Sequence, residues 1–406
     1  MRRGMLSDLF VGVVAKKLTL VETITASSNQ HEFQGTKPLK RLLGEVDRKG
    51  IPTQFVWLSA EQEALTESGF MSWSNVRKGK PRAAEFHLYY STNVVTELMQ
   101  AGDTLFLALQ RDESLLAVIA PAESTVQNQF LWLFGIDEQP EFDFTFREID
   151  RLTSAELDFA ARYILDELGI DPEEPEVAGL DALVERFGLS FPPTRILSEL
   201  ARSSLPHVSA LDDADQALVD WMDREEQLFR RIERRIVADR IGNGFRSGQG
   251  ADVDGFLSFS LSVQNRRKSR AGRALENHIE AVLLAHGIQH AHGAETENRN
   301  KPDFLFPGRT EYLDQTFDVA RLTMLGAKST LKDRWRQVLS EAERIADKHL
   351  LTLEPGISEN QTDEMRAKRL TLVVPSKLQS TYRPEQRAQL MDLRGFLGLV
   401  RRRQEG

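Results

Sequence analysis

Three side chains in the C-terminal half of the chain, Asp303, Lys328 and Glu341, are the residue types that phosphodiester hydrolysis requires. Asp303 follows Asn300-Lys301-Pro302 and opens the apolar run Phe304-Leu305-Phe306-Pro307; Lys328 ends Leu325-Gly326-Ala327; Glu341 comes thirteen residues after Lys328. Such hydrolysis needs a divalent cation held by carboxylates, an amine near the attacking water, and in-line access to phosphorus. Asp303 and Glu341 would hold Mg²⁺ through oxygen, while Lys328 would orient or help deprotonate the water and offset transition-state charge. The competing reading is a surface ion-pair network, because isolated acids and lysines are common and contribute little.

The elements around these residues decide whether they can meet. Asp303 and Lys328 each sit at a short apolar segment of strand character. In the commonest arrangement of such sites the second acid lies two positions before the lysine on the same strand. Here that position is Gly326, which cannot bind metal. Leu331, Trp335, Val338, Leu339, Ala342 and Ile345 predict the buried stripe of a helix from Leu331 to about Asp347, with Arg334 and Glu341 seven apart on its other side. Glu341 could then fill the vacancy left by Gly326.

Upstream, a helix is expected over 215–239, with a basic face in Phe229-Arg230-Arg231-Ile232-Glu233-Arg234-Arg235-Ile236, and another over 271–286. A strand at 370–375 precedes a basic C-terminal helix. In the N-terminal part, Thr53–Leu58, Glu85–Tyr90, Thr104–Leu109 and Leu115–Ala120 read as strands separated by turn signals, favouring a compact β-barrel or sandwich. Ser154–Gly169 has helical spacing and leads into Asp171-Pro172-Glu173-Glu174-Pro175-Glu176, where proline and like charges discourage regular structure. The expected division is 1–150, an acidic connector over 151–205, and 206–406.

The net charge of −9 sits badly with a polyanionic partner until it is divided by region. Residues 137–205 hold 6 basic and 17 acidic residues, whereas 206–406 hold 32 and 30, so the negative excess lies in the middle of the chain. The absence of cysteine excludes disulfides and cysteine-ligated zinc or iron–sulfur centres. The N-terminal apolar stretch is interrupted by Asp8 and ended by Lys16-Lys17, which argues against a signal peptide. No segment reaches the roughly 18–20 apolar residues of a membrane span, so a soluble cytoplasmic protein is expected. His286, His290 and His292 have a spacing that could bind zinc, although a plain turn explains them as well. Glu276 and Glu280, four apart, could supplement a metal site or lie on a solvated helix face.

Three blocks resemble the signatures of EcoRII-type restriction endonucleases: Ser262-Val263-Gln264-Asn265-Arg266-Arg267-Lys268-Ser269-Arg270-Ala271-Gly272, Lys301-Pro302-Asp303-Phe304-Leu305-Phe306-Pro307 and Lys332-Asp333-Arg334-Trp335-Arg336-Gln337. The likeness runs over most of 250–380. It implies a C-terminal α/β core of the PD-(D/E)XK nuclease fold with its glutamate displaced onto the helix, and Mg²⁺ as cofactor. Asp303, Lys328 and Glu341 match the family's active-site residues, while Tyr312, Lys332 and Arg334 match further functional positions. Glu85–Tyr90 and Gly102–Leu109 resemble, more loosely, the family's N-terminal B3-like β-pseudobarrel, an effector domain that binds a further DNA site and restrains the nuclease.

The resemblance also implies double-stranded DNA as substrate, a homodimer, a separate DNA cytosine methyltransferase, a CCWGG-like target and a flipped central base pair. Lys332, Asp333 and Arg334 have the donors and acceptor to read adjacent G·C pairs, or they form an ordinary solvated first turn. Arg266, Arg267, Lys268 and Arg270 are candidates for phosphate contacts. Arg77, Lys78, Lys80 and Arg82, beside Trp73, form a candidate DNA-contacting arm or an exposed loop. The function class expected is a site-specific deoxyribonuclease, and the alternative is a non-cleaving DNA sensor on a nuclease-like fold.

Overall fold

A computed structural model describes residues 5–23, 31–59, 64–137, 139–150, 157–170, 179–248, 250–331 and 334–405. The chain divides into two compact units. One comprises Met1–Pro175, Pro355–Gln361 and Thr381–Arg383; the other comprises Glu176–Glu354, Thr362–Ser380 and Pro384–Gly406. This differs from the expected three-part division, because the described residues between 151 and 205 are shared between the two units. The acidic run 171–176 lies outside the described residues.

The first unit is built on one eight-stranded sheet. Its elements are β1 (Phe10–Lys17), β2 (Glu32–Gln34), α1 (Lys37–Leu43), β3 (Arg48–Trp57), β4 (Leu65–Asn75), β5 (Phe86–Tyr90), β6 (Thr104–Gln110), β7 (Leu115–Ala120), α2 (Thr125–Leu133), β8 (Thr145–Glu148) and α3 (Phe159–Glu167). The strand order is β2-β5-β4-β3-β7-β6-β1-β8, antiparallel except for the β3–β7 pair. Period-2 alternation feeds two cores. Val13, Ala15, Phe106, Ala108, Leu116 and Val118 pack with Phe130 of α2 and Ile164 of α3, while Val14, Leu105, Leu107, Leu115 and Ala117 pack with Leu39 and Leu42 of α1. Both faces of the central strands are therefore buried, which is why β6 and β7 read as unbroken apolar runs.

The second unit layers helices on a mixed sheet. Its elements are α4 (Leu180–Glu185), α5 (Thr194–Ser203), α6 (Ala214–Asn243), α7 (Val253–Ala285), β9 (Ala291–His292), β10 (Phe304–Phe306), α8 (Arg309–Leu313), β11 (Thr323–Lys328), α9 (Trp335–Val338), β12 (Lys348–Thr352), β13 (Leu370–Val373) and α10 (Leu393–Glu405). The sheet runs β9-β10-β11-β12-β13, with the first two pairs antiparallel and the last two parallel. Leu180, Val184, Leu197 and Leu200 pack on Leu228, Phe229 and Ile232 of α6. Side-chain caps from Asp213 and Asp252 start the two long helices.

Asp215, buried on the first turn of α6, fixes the C-terminal helix. Its carboxylate accepts from the backbone N–H of Leu393 (2.9 Å) and Arg394 (3.0 Å) at the start of α10, and from Ser376 N (3.1 Å). It thus satisfies donors that a helix N-terminus leaves open. Replacing Asp215 by Ala strands three N–H groups, that of Leu393 buried, and is expected to lower stability by about 1–3 kcal/mol, read as a shifted midpoint in urea unfolding.

Candidate active site

Asp303 immediately precedes β10 and Lys328 ends the neighbouring β11. Phe304 pairs with Leu325 in this antiparallel ladder, so continuing the register sets Asp303 across from Gly326. The Asp303 carboxylate accepts from Lys328 Nζ (2.8 Å) and from Ala327 N (2.6 Å) through the same oxygen, Oδ2. Both side chains keep some solvent access.

Gly326 is more than a position without a ligand. A Cβ built there would lie 3.0 Å from Val338 Cγ2 and 3.3 Å from Leu350 Cδ1. The space a carboxylate would occupy at the usual position is filled by the fully buried Val338 of α9, and Glu341 arrives three residues later. A Gly326→Glu change, which would place an acid at the conventional position, is expected to destabilise the protein by about 1–3 kcal/mol through overpacking, measured by thermal or chemical unfolding.

The expected helix from Leu331 to Asp347 is corrected to a single four-residue turn, α9, followed by tight turns. Ala342, with φ of +49°, cannot continue a right-handed helix. Apolar spacing misled because Ala342 and Ile345 are indeed buried, but in turns. Glu341 therefore stands on a turn, held on one side by Asn300 Nδ2 donating to Ser340 O (2.8 Å). Sequence reasoning passed over Lys348, a buried cation opening the apolar strand β12, and Glu354, whose carboxylate accepts from Leu331 N. A lone charge heading an otherwise apolar segment was the available signal for Lys348.

Burial pushes the Glu341 carboxyl up to about 7, opposed by the charge of Lys328, reinforced by that of Asp303 and opposed by that of Lys348. Its Oε2 is buried without a hydrogen-bond partner. An acid lacking a donor, next to a second acid and an amine, fits a divalent cation. Among the described residues no group of three or more His, Asp or Glu could hold a metal. Two carboxylates suffice for Mg²⁺, which commonly keeps waters and takes the remaining oxygens from phosphate.

Because the folded-state value lies above the ordinary 4.5, the folded protein binds the proton more tightly than the unfolded chain. Stability thus falls as pH rises from about 4.5 to about 7 and levels off above. In EDTA, Glu341→Gln is expected to stabilise the fold by on the order of 1–3 kcal/mol at pH 8, allowing for solvent screening, and hardly at all at pH 4; unfolding curves at the two pH values check it.

The other candidate residues are distributed unevenly. Tyr312 is buried, and its hydroxyl donates to Glu297 Oε1 (2.7 Å) and accepts from Arg344 N (3.3 Å). Burial and Glu297 raise its pKa. It braces the turn after Glu341. Arg334 is exposed at the start of α9, and Lys332 and Asp333 lie outside the described residues.

Of the basic block on α7, Arg270 is buried against Glu225 (3.4 Å) and Glu226, and Arg267 is paired with Glu233 (2.8 Å). Arg270 is thus corrected from a phosphate contact to an internal ion-pair partner. Arg266 is exposed, with its guanidinium 4.3 Å from the Phe191 ring centre, and Lys268 lies in the same helix. In the first unit Arg77 is paired with Glu85 and Lys78 with Asp47 (2.8 Å), while Lys80 and Arg82 are exposed. The three histidines have separate partners: His286 the carbonyl of Ala210 (2.9 Å), His290 that of Ile288 (2.9 Å), and His292 the carboxylate of Glu276 (3.0 Å), with Glu280 at 3.8 Å. Among the described residues they do not come together as a zinc-binding group.

The mixed α/β sheet thus carries Asp303 and Lys328 at adjoining strand ends, with Glu341 on a turn beyond the second of them. Residues 229–397 match the family described as EcoRII C terminal. The type II restriction enzyme EcoRII of Escherichia coli is 42% identical over 230 residues, 56% of this chain and 55% of that enzyme. The type II restriction enzyme SsoII of Shigella sonnei is 32% identical over 110 residues, 25% of this chain and 35% of that enzyme. The chain thus spans about half, or less, of the curated relatives it matches. Among solved structures, metal-depleted Ecl18kI in complex with uncleaved, modified DNA aligns with a TM-score of 0.46 and 17% identity, covering 56% of this chain and 84% of that one. The PspGI–substrate DNA complex aligns at 0.44 and 14%, covering 53% and 94%. No helix among the described residues is long and apolar enough to cross a membrane.

Proposed function

We propose that the protein is a type II restriction endonuclease of the IIE kind, cleaving double-stranded DNA at a CCWGG-like site with Mg²⁺. The observation that carries this reading is the Asp303–Lys328 contact of 2.8 Å together with a half-buried Glu341 whose Oε2 has no hydrogen-bond partner among the described residues. Asp303 and Glu341 would hold the ion, which when bound supplies charge neutralisation at the phosphate and makes water easier to deprotonate. Asp303 fixes the Lys328 side chain, leaving the ammonium two further donors for the attacking water and a phosphate oxygen. Lys328 then offsets charge growing on phosphorus-bound oxygen.

Lys332, Asp333 and Arg334 would read the outer G·C pairs, supported by their donor and acceptor chemistry and by the exposure of Arg334. Arg266 and Lys268 would contact phosphates. A homodimer suits a near-palindromic site, and exposed Val253, Phe256, Leu257 and Leu261 on the first half of α7 give it an apolar surface to bury. The first unit, read as a B3-like effector domain, would bind a further DNA copy through Lys78, Lys80 and Arg82 and restrain cleavage until it does. Host copies of the site would need protection by a separate DNA cytosine methyltransferase.

Incubated with Mg²⁺, a supercoiled plasmid carrying several CCWGG sites should yield discrete fragments whose sequenced ends share one site. Asp303→Ala, Lys328→Ala and Glu341→Ala should each lose on the order of 10²–10³ in cleavage rate or more. A mobility shift without fragments would instead identify a DNA sensor.

A further inference from the structure

Lys348, at the start of β12, is one of two buried lysines among the described residues, at 7% exposure. Among the described residues its ammonium pairs with no carboxylate. It donates instead to three backbone carbonyls of one turn: Glu341 O, Ala342 O (3.1 Å) and Ile345 O (3.1 Å). An ammonium has three donors, so the set matches its full capacity. The turn it grips is the one that carries Glu341, and it includes Ala342 in the left-handed region, a conformation a non-glycine residue adopts only when its surroundings impose it. Asn300, three residues before Asp303, holds the same turn from the other end through Ser340 O.

We propose that Lys348 is a positioning residue for the divalent ion: it clamps the Glu341 turn from below, so that the Glu341 carboxylate is held toward Asp303 and Lys328 rather than relaxing into solvent. This rests on the reading of Asp303 and Glu341 as the ion's ligands. Lys348 itself touches neither ion nor DNA. A hydrophobic residue of similar length takes the donor from Glu341 O and Ile345 O, leaves Ala342 O only the N–H of Ile345 (2.9 Å), and frees the left-handed turn to unwind. Arginine keeps charge and donors and recovers part of the clamp.

The test uses the full chain and Mn²⁺ alone, its binding followed by electron paramagnetic resonance, with Glu341→Gln defining the site-specific component. Lys348→Met is expected to weaken that component by about 10–100-fold, the usual cost of losing a residue that orients a metal ligand. Lys348→Arg should restore most of it, and affinity for a CCWGG oligonucleotide in EDTA should stay within about twofold of the parent, since a ligand-positioning defect leaves phosphate contacts intact. Folded Lys348→Met that binds Mn²⁺ as the parent does overturns the proposal, as does a matching loss of metal-free DNA affinity, which marks general damage. If Lys348→Met lacks a cooperative thermal transition, Asn300→Ala decides: weaker Mn²⁺ binding supports a clamped turn, and parent-like binding overturns it. A parent whose Mn²⁺ binding is indifferent to Glu341→Gln overturns instead the assignment of the ion site itself.

Discussion

Val338 packed onto Gly326 is the contact from which the architecture of the candidate site follows. Strand β11 can bring Lys328 to its end and no acid beside it, because the volume over Gly326 is already taken by an aliphatic side chain. The chain just beyond the helix that delivers Val338 to the core must then deliver the acid, and the first acidic residue after it is Glu341. Core packing and the placement of the candidate ligand are thus linked through three residues of chain. Loosening α9 by a cavity at Val338 would loosen the candidate ligand as well.

That linkage carries an energetic consequence. Glu341 is buried enough for its carboxyl to titrate near 7, with no protein donor on one oxygen. A fold selected for stability alone would satisfy or remove such a group. The surroundings hold it in place with backbone-directed contacts: Asn300 on Ser340 O, Lys348 on three carbonyls, and Tyr312 joining Glu297 to Arg344 N. None of these neutralises the carboxylate by a direct hydrogen bond. Geometry is fixed while charge is left unmet, as a preorganised cation site requires.

Much of this was legible in the sequence. The strand ends at Asp303 and Lys328 followed from short apolar runs, and Gly326 signalled a displaced acid because glycine cannot ligate. The helix beyond failed, since i, i+3, i+4 spacing reports which side chains are buried and not whether the backbone stays helical; Ala342 and Ile345 are buried from turns. Helix α7 begins at Val253 and not at 271, because Phe256-Leu257-Ser258-Phe259-Ser260-Leu261-Ser262 alternates like a strand and its apolar residues stay largely exposed within the chain. Strand β1 was obscured by its position in an N-terminal apolar stretch. Roles such as that of Lys348 depend on which carbonyls a long side chain meets, and no periodicity encodes that.

The arginines show why charge counted along a sequence is a weak guide to a polyanion-binding face. Arg267 and Arg270 belong to a basic block, yet both are spent on Glu225, Glu226 and Glu233 between α6 and α7. Glu225 is also 2.9 Å from His278, whose proton affinity burial lowers. Charges buried in this way add little net stability compared with apolar packing, but removing one partner leaves the others uncompensated. They therefore constrain how the two long helices register against each other. The basic residues left for a phosphate backbone are those without such internal carboxylates, and exposed Arg266 and Arg334 stand at separate points of the second unit. An electrostatic footprint assembled from spaced single charges gives modest attraction overall, so under the proposed function discrimination would come from short-range contacts to base edges.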